Sequence, residues 1–192
     1  MAAIRKENVR QLILDATLSL LEKESLQSIT LEKIAKTAGV SKGTIYYHFK
    51  TKEDIVFAIM DAYLDEQYID LKTWIEDKSK DTSLPRLIKY ILLRDTSATF
   101  MRHHFFTEAI NGNTTFQEKL IARYEKFAKE IQALIKERTD LVDSEYASWL
   151  VLIISDGLLL HKLLGNPYID SDAFIKQTED YIKKLTTLES NK

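Results

Sequence analysis

An all-α chain is predicted by three observations. Only five Gly and two Pro interrupt 192 residues. Apolar residues recur three and four apart along most of the length, the period of an amphipathic helix, and the breaks in that pattern coincide with residues that cap helices. About nine helices are expected, in an N-terminal three-helix domain over residues 1–50 and a larger helical domain over 51–192.

The first helix is predicted from about Glu7 to Glu24, with Val9, Leu12, Ile13, Ala16 and Leu20 as its buried stripe. Arg5, Lys6 and Arg10 stand near its start, where cations oppose the helix macrodipole. Their placement suits an external anion such as a phosphate, or simply a solvated basic end. Thr30 is a good cap for a second helix whose apolar face is Leu31, Ile34, Ala35 and Ala38. Gly39 supplies the left-handed residue that ends it, Val40 turns inward, and Ser41 caps a third helix running to about Phe49. At about 100° per residue, Ile45 and Phe49 point inward. Gly43 and Tyr47 point the opposite way, with Thr44 and Tyr46 on the flanks. The outward face carries hydroxyls and aromatic rings but no acid, and Lys42, Lys50 and Lys52 surround it. A helix, a tight turn and a second helix with a basic, hydroxyl-rich face is the arrangement that enters a DNA major groove. The plainer alternative is a helical hairpin within a bundle.

Thr51 caps a fourth helix reaching about Asp77, with Glu53 and Asp54 suited to its first turn. Leu84-Pro85 opens a fifth, lined by Leu87, Ile88, Ile91 and Leu92. A short aromatic segment from Phe100 to Ile110 ends at Asn111-Gly112-Asn113. The seventh helix, from about Thr115 to Arg138, has a stripe of Phe116, Leu120, Tyr124, Phe127, Ile131 and Leu134. From Ser144 to Leu164 the chain is apolar on nearly every side, which calls for burial on both faces. Past Gly165-Asn166-Pro167, the residues Phe174, Thr178, Tyr181, Leu185 and Leu188 form a seam suited to helix packing. These last two helices either meet a second copy or complete a monomer core, with His161 as a hydrogen-bonded histidine among leucines.

Charge is distributed unevenly. Residues 1–52 hold nine Lys or Arg and five acids, a balance of +4; since the whole chain carries −2, the remainder carries −6. A basic end on an acidic chain suits a local polyanion contact. The absence of Cys excludes a disulfide framework, thiolate metal sites and a Cys nucleophile. No apolar leader stands at the N-terminus, and Asp156 and His161 interrupt the most apolar run, so a cytoplasmic protein without a membrane span is expected.

The runs Thr30-Leu31-Glu32-Lys33-Ile34-Ala35, Ala38-Gly39-Val40-Ser41-Lys42-Gly43-Thr44-Ile45-Tyr46-Tyr47-His48-Phe49 and Lys52-Glu53 resemble the DNA-binding domain of the TetR family of transcriptional regulators. The resemblance covers roughly Arg5 to Ala58. One departure is Ser25, where the family often has Gly. The resemblance implies a homodimeric repressor that binds an operator on double-stranded DNA through three N-terminal helices. It also implies a C-terminal helical domain holding a ligand pocket and a dimer interface built from the last two helices.

On this reading the DNA-side candidates are Thr30, Lys42, Gly43, Thr44, Tyr46, Tyr47, His48 and Lys52. Thr44 and Tyr47 suit base edges, Gly43 lets the backbone approach, and Lys42, Tyr46, His48 and Lys52 suit phosphates. Tyr63, Trp74, Phe100, Phe105, Phe106, Phe127 and Trp149 are candidate wall residues for an apolar or aromatic small-molecule effector, with His104, Glu108 and Asp156 as polar anchors. For any single aromatic, plain core packing competes with that role. Catalytic signals are poor: there is no Gly-rich phosphate loop, and His104 and Glu108, four apart beside His103, are the one pair suggesting metal or acid–base chemistry. No cofactor or metal is expected, and a helical-bundle enzyme or a protein interaction module are the alternatives.

Overall fold

The computed structural model describes the backbone of residues 2–97 and 99–189, and the side chains of 8–96 and 101–187. Among these are nine α-helices: α1 (Ala2–Leu21), α2 (Leu31–Ala38), α3 (Lys42–His48), α4 (Lys52–Glu76), α5 (Leu84–Ser97), α6 (Thr99–Ile110), α7 (Thr114–Lys136), α8 (Ser144–Leu163) and α9 (Ser171–Glu189). A single 3-10 turn, Leu26–Ser28, lies between α1 and α2. The all-α class is as expected. Two compact units emerge, Met1–Gln67 and Tyr68–Lys192, with the division inside α4 rather than before it.

In the first unit α1 packs on α2, and α2 on α3. The core is Ile13, Leu21, Ile34, Ile45, Ile55 and Met60, each nearly or fully buried. At about 1.5–3 kcal/mol per side chain of this size, such burial dominates the stability of a short helical unit. Helix α1 differs from expectation in two ways. It begins at Ala2, not Glu7, so Arg5 and Lys6 lie within it; their side chains are outside the described residues. Its inward face is also rotated: Ile13 and Ala16 of the expected stripe are buried, but Leu12 is exposed, and Leu14, Thr17 and Leu21 are buried beside them. Thr17 hid this face from an apolar count. Its hydroxyl is satisfied by donating to the Ile13 carbonyl at 2.8 Å, so it is buried without penalty.

Between α1 and α2, Ser25 has φ −68° and ψ 152°, ordinary extended backbone that needs no glycine. Lys52 closes this turn from a distance. Its Nζ donates to the carbonyls of Leu26 at 2.7 Å and Ile29 at 3.0 Å. Charged hydrogen bonds of this kind are worth about 1.5–3 kcal/mol each before solvent competition. We expect Lys52→Met, which keeps the stem and loses the donors, to destabilise the chain by about 1–3 kcal/mol. An unchanged urea midpoint would show that the clasp holds nothing.

In the second unit α5 packs against both α8 and α9, α7 packs against α8 and α6, and α6 also touches α8. Leu87, Ile91, Phe116, Ile131, Leu159 and Ile175 are buried at its centre. The stripes expected for α5 and most of α7 face inward accordingly. Buried Glu179 ties α9 to α5, accepting from Lys89 at 2.6 Å and Arg86 at 2.7 Å. Trp74 stacks on Tyr90, with centroids 4.6 Å apart, and both rings are half-buried. Helix α8 is long and apolar enough to cross a membrane by composition alone. Here it behaves as a core helix on one side, burying Ser148, Leu152, Ser155 and Leu159 against its neighbours.

Candidate nucleic-acid interface

The turn between α2 and α3 is held by backbone and cap chemistry, not by distant partners. Thr30 Oγ1 accepts from the Lys33 amide at 3.2 Å, starting α2. Gly39 stands at φ 66° and ψ 30°, and the Val40 amide reaches back to the Ala35 carbonyl at 3.0 Å, so α2 ends in a Schellman-type turn. Two residues later Ser41 Oγ accepts from the Thr44 amide at 3.0 Å and pairs with the Thr44 hydroxyl at 2.8 Å. The angle between α2 and α3 is thereby fixed by residues that all lie between Thr30 and Thr44.

Helix α3 then divides as its sequence predicts. Ile45 is fully buried and Phe49 nearly so, while Tyr46 is 52% and Tyr47 69% exposed. Lys42 and Gly43 are exposed; Thr44 and His48 are half-buried. Tyr47 meets His48 edge to face, with centroids 5.2 Å apart. A Cβ added to Gly43 would meet only Ser41 Oγ at 3.7 Å, ordinary contact, so nothing within the chain demands a glycine there. Thr51 and Asp54 form a reciprocal cap at the start of α4, each side chain accepting the other's amide at 3.0 Å.

The cations are sorted by their partners. Lys42 and Lys50 are exposed beside α3. Lys52, expected at a phosphate, has two of its three donors committed to the Leu26 and Ile29 carbonyls, so its first duty is the clasp described above. Lys33 is likewise tied down, to Glu24 at 2.7 Å and the Ser28 carbonyl at 3.2 Å; its hydrogen bond, with that of Ser28, holds the Glu24 carboxyl below its usual range. Arg10 of α1 lies over the Phe49 ring at 5.2 Å, at the end of α3. Neither placement was legible from spacing, because both partners come from other elements.

The effector candidates are scattered. Tyr63 belongs to the first unit and the others to the second. The Phe100 side chain lies outside the described residues. Phe105 is buried and stacked on Phe116 at 6.4 Å, and Phe127 is buried against Tyr68 at 6.5 Å, so core packing accounts for both. Trp149 lies on the exposed side of α8, while His104 and Glu108 are half-buried on α6. Asp156 joins a polar network. It pairs with Arg102 and accepts from the Tyr124 hydroxyl at 2.7 Å, and Arg102 also reaches Ser155 at 3.0 Å and the Asp95 carbonyl at 3.1 Å. Burial pushes the Asp156 carboxyl up despite the opposing Arg102 charge, and pushes the Tyr124 phenol up as well. Phe106 stacks on Tyr124 at 6.3 Å, beside this network.

Residues 13–59 match the family model of bacterial regulatory proteins of the tetR family. The HTH-type transcriptional regulator AcrR of Shigella flexneri is 47% identical over 49 residues, 26% of this chain and 23% of that one. Nucleoid occlusion factor SlmA of Vibrio cholerae serotype O1 is 25% identical over 190 residues, 95% of this chain and 91% of its own. Among solved structures, a TetR transcription regulator from Haloarcula marismortui superposes with a TM-score of 0.71 at 18% identity, covering 93% of this chain and 96% of that one. The fatty acid degradation regulator FadR of Bacillus halodurans gives 0.72 at 18%, covering 90% and 93%. With a capped helix-turn-helix at its start, inside the residues that match the tetR-family model, and a helical domain of the same fold behind it, the chain is similar to the TetR family of DNA-binding transcriptional regulators.

Proposed function

We propose that the chain is a repressor that binds a near-palindromic operator as a homodimer and leaves it when a small molecule binds the C-terminal unit. The observation that carries this reading is the outward face of α3: two exposed tyrosines and an unforced glycine, with no acid among them and Lys42 and Lys50 beside them. Thr44 and Tyr47 meet base edges, Gly43 admits the backbone, and Lys42, Tyr46 and His48 hold phosphates, with Thr30 at the cap of the preceding helix. Lys52 supports the site and offers its one remaining donor. Two such helices read successive major grooves when they stand one turn apart, roughly 34–36 Å. The copies join through the exposed apolar faces of α8 and α9. The effector is apolar or aromatic and is met on α6, where His104 and Glu108 are half-buried; a structural neighbour named for fatty acid degradation suits that class. It releases DNA by favouring a dimer whose spacing no longer fits. A cytoplasmic location follows from this role.

The test is a mobility shift on DNA flanking the protein's own gene, repeated across a range of salt. Log affinity should fall linearly with log salt. Lys42→Ala should shallow that slope by about 0.9 for each phosphate no longer neutralised, hence by nearly two in a dimer, with sequence preference intact. A slope that does not move would remove Lys42 from the interface. A second reading follows from the full-length similarity to nucleoid occlusion factors: the bound dimer then acts in nucleoid occlusion, and deleting its gene leaves expression of neighbouring genes unchanged.

A further inference from the structure

From Trp149 to Leu163 one exposed seam of α8 is apolar apart from Asp156. Trp149, Ile153, Asp156, Leu160 and Leu163 follow one another at steps of four, three, four and three, the spacing of a helix-packing seam. Ile153 is 63% and Leu160 55% exposed, and the Asp156 side chain retains 34% of its surface. On α9 the residues Phe174, Tyr181 and Leu185 are similarly exposed at matching spacing. Asp156 thus stands on the shoulder of the seam, where the outward face of α8 meets Arg102 of α6 and Tyr124 of α7.

We infer that Asp156 sets the register in which two copies of this chain associate. The inference rests on the self-association proposed above and names the residue that makes it specific. On a two-fold interface residue i of one copy meets residue j of the other, and an exposed acid close to the axis approaches its own image, a like charge. Here that charge is balanced within each chain: Arg102 and Tyr124 hold the carboxylate, and Arg102 in turn contacts Asp95, which is paired with Arg94. A partner therefore has no cation to supply, which favours a second copy over a basic protein. The remaining exposed part of the carboxylate still needs polar surroundings or water when the face closes. Sliding one copy by a helical turn would press it onto a leucine or isoleucine. One polar residue on an apolar seam specifies register in this way, at some cost in affinity.

The chain has no cysteine, so single cysteines report register directly. In the full-length protein, Ile153→Cys and Leu160→Cys are made separately, oxidised mildly and compared for disulfide-linked dimer, with sedimentation measuring the dissociation constant. With Asp156 present, one of the two positions should cross-link in clear preference to the other. Asp156→Leu should let both cross-link to a similar extent, with Arg102 keeping Asp95 and Ser155 as partners within the chain. Asp156→Asn, which stays polar and retains an acceptor for Tyr124 and Arg102, should keep the preference, separating the effect of polarity from a folding defect. An unchanged cross-linking preference in Asp156→Leu, with the variant folded and dimeric, overturns the inference while leaving self-association standing. A wild-type chain that sediments as a monomer, or that is monomeric and floats with lipid vesicles, ends both.

Discussion

Gly43→Ala should leave the chain as stable or slightly more stable and yet weaken operator binding by tens of fold. The two halves of this expectation come from different surfaces of one residue. Within the chain, alanine meets only Ser41 Oγ at an unstrained 3.7 Å and gains about 0.5–1 kcal/mol of helix propensity. Against DNA, the same methyl stands on the outward face between Lys42 and Tyr47 and holds the helix backbone off the groove. A penalty of about 1 kcal/mol at each half-site doubles in a dimer, which corresponds to some thirty-fold in affinity. Tyr47→Ala should act on the same face through the opposite defect, removing a side chain that is 69% exposed and supports no core. Removing a base-edge interaction costs about 1–3 kcal/mol per half-site and lowers discrimination between operator and unrelated DNA. Thermal melts and mobility shifts on the same preparations check both variants. If Gly43→Ala binds like wild type, the helix does not approach closely at that point and the roles assigned to α3 are wrong.

The parts of the site that could be read from sequence are those whose physics is local. Thr30, Gly39 and Ser41 act on amides within a few residues of themselves, so the turn and both short helices follow from residue identity. Ile45 and Tyr47 divide inside from outside by helical period alone. What escaped depends on distant partners. Lys52 reads as a phosphate ligand because its charge lies just past the exposed face of α3; its acceptors lie 26 and 23 residues earlier. Arg10 is placed by charge alone in the sequence, and Phe49 decides where that charge points. The rotated face of α1 was missed because Thr17 counts as polar until its hydroxyl is seen bonded to its own helix. In the C-terminal unit periodicity identifies helices but not what a ring touches. Phe105 in the core and Trp149 at the surface are alike as letters, and of the two apolar faces of α8 one is covered within the chain.

That uncovered side gives the second large effect. Ile153→Arg combined with Leu160→Arg should convert the protein to a monomer and reduce operator affinity by at least a hundred-fold. Both side chains are more than half exposed, and the buried positions of α8, Val151, Leu152, Ser155, Leu158 and Leu159, are untouched. The fold of each copy should therefore survive, as circular dichroism would show. Two arginines at the centre of an apolar interface face their own images and cannot be desolvated without cost. DNA binding then suffers through geometry rather than direct contact, because the second recognition helix loses the effective concentration, millimolar for closely linked modules, that dimerisation gives it. The added positive charge works against this outcome by raising non-specific affinity, so the decisive quantity is the ratio of operator to unrelated DNA at fixed salt. A monomeric double variant that keeps the wild-type ratio would mean that each α3 reads its half-site alone. A double variant that remains dimeric would move the interface off α8.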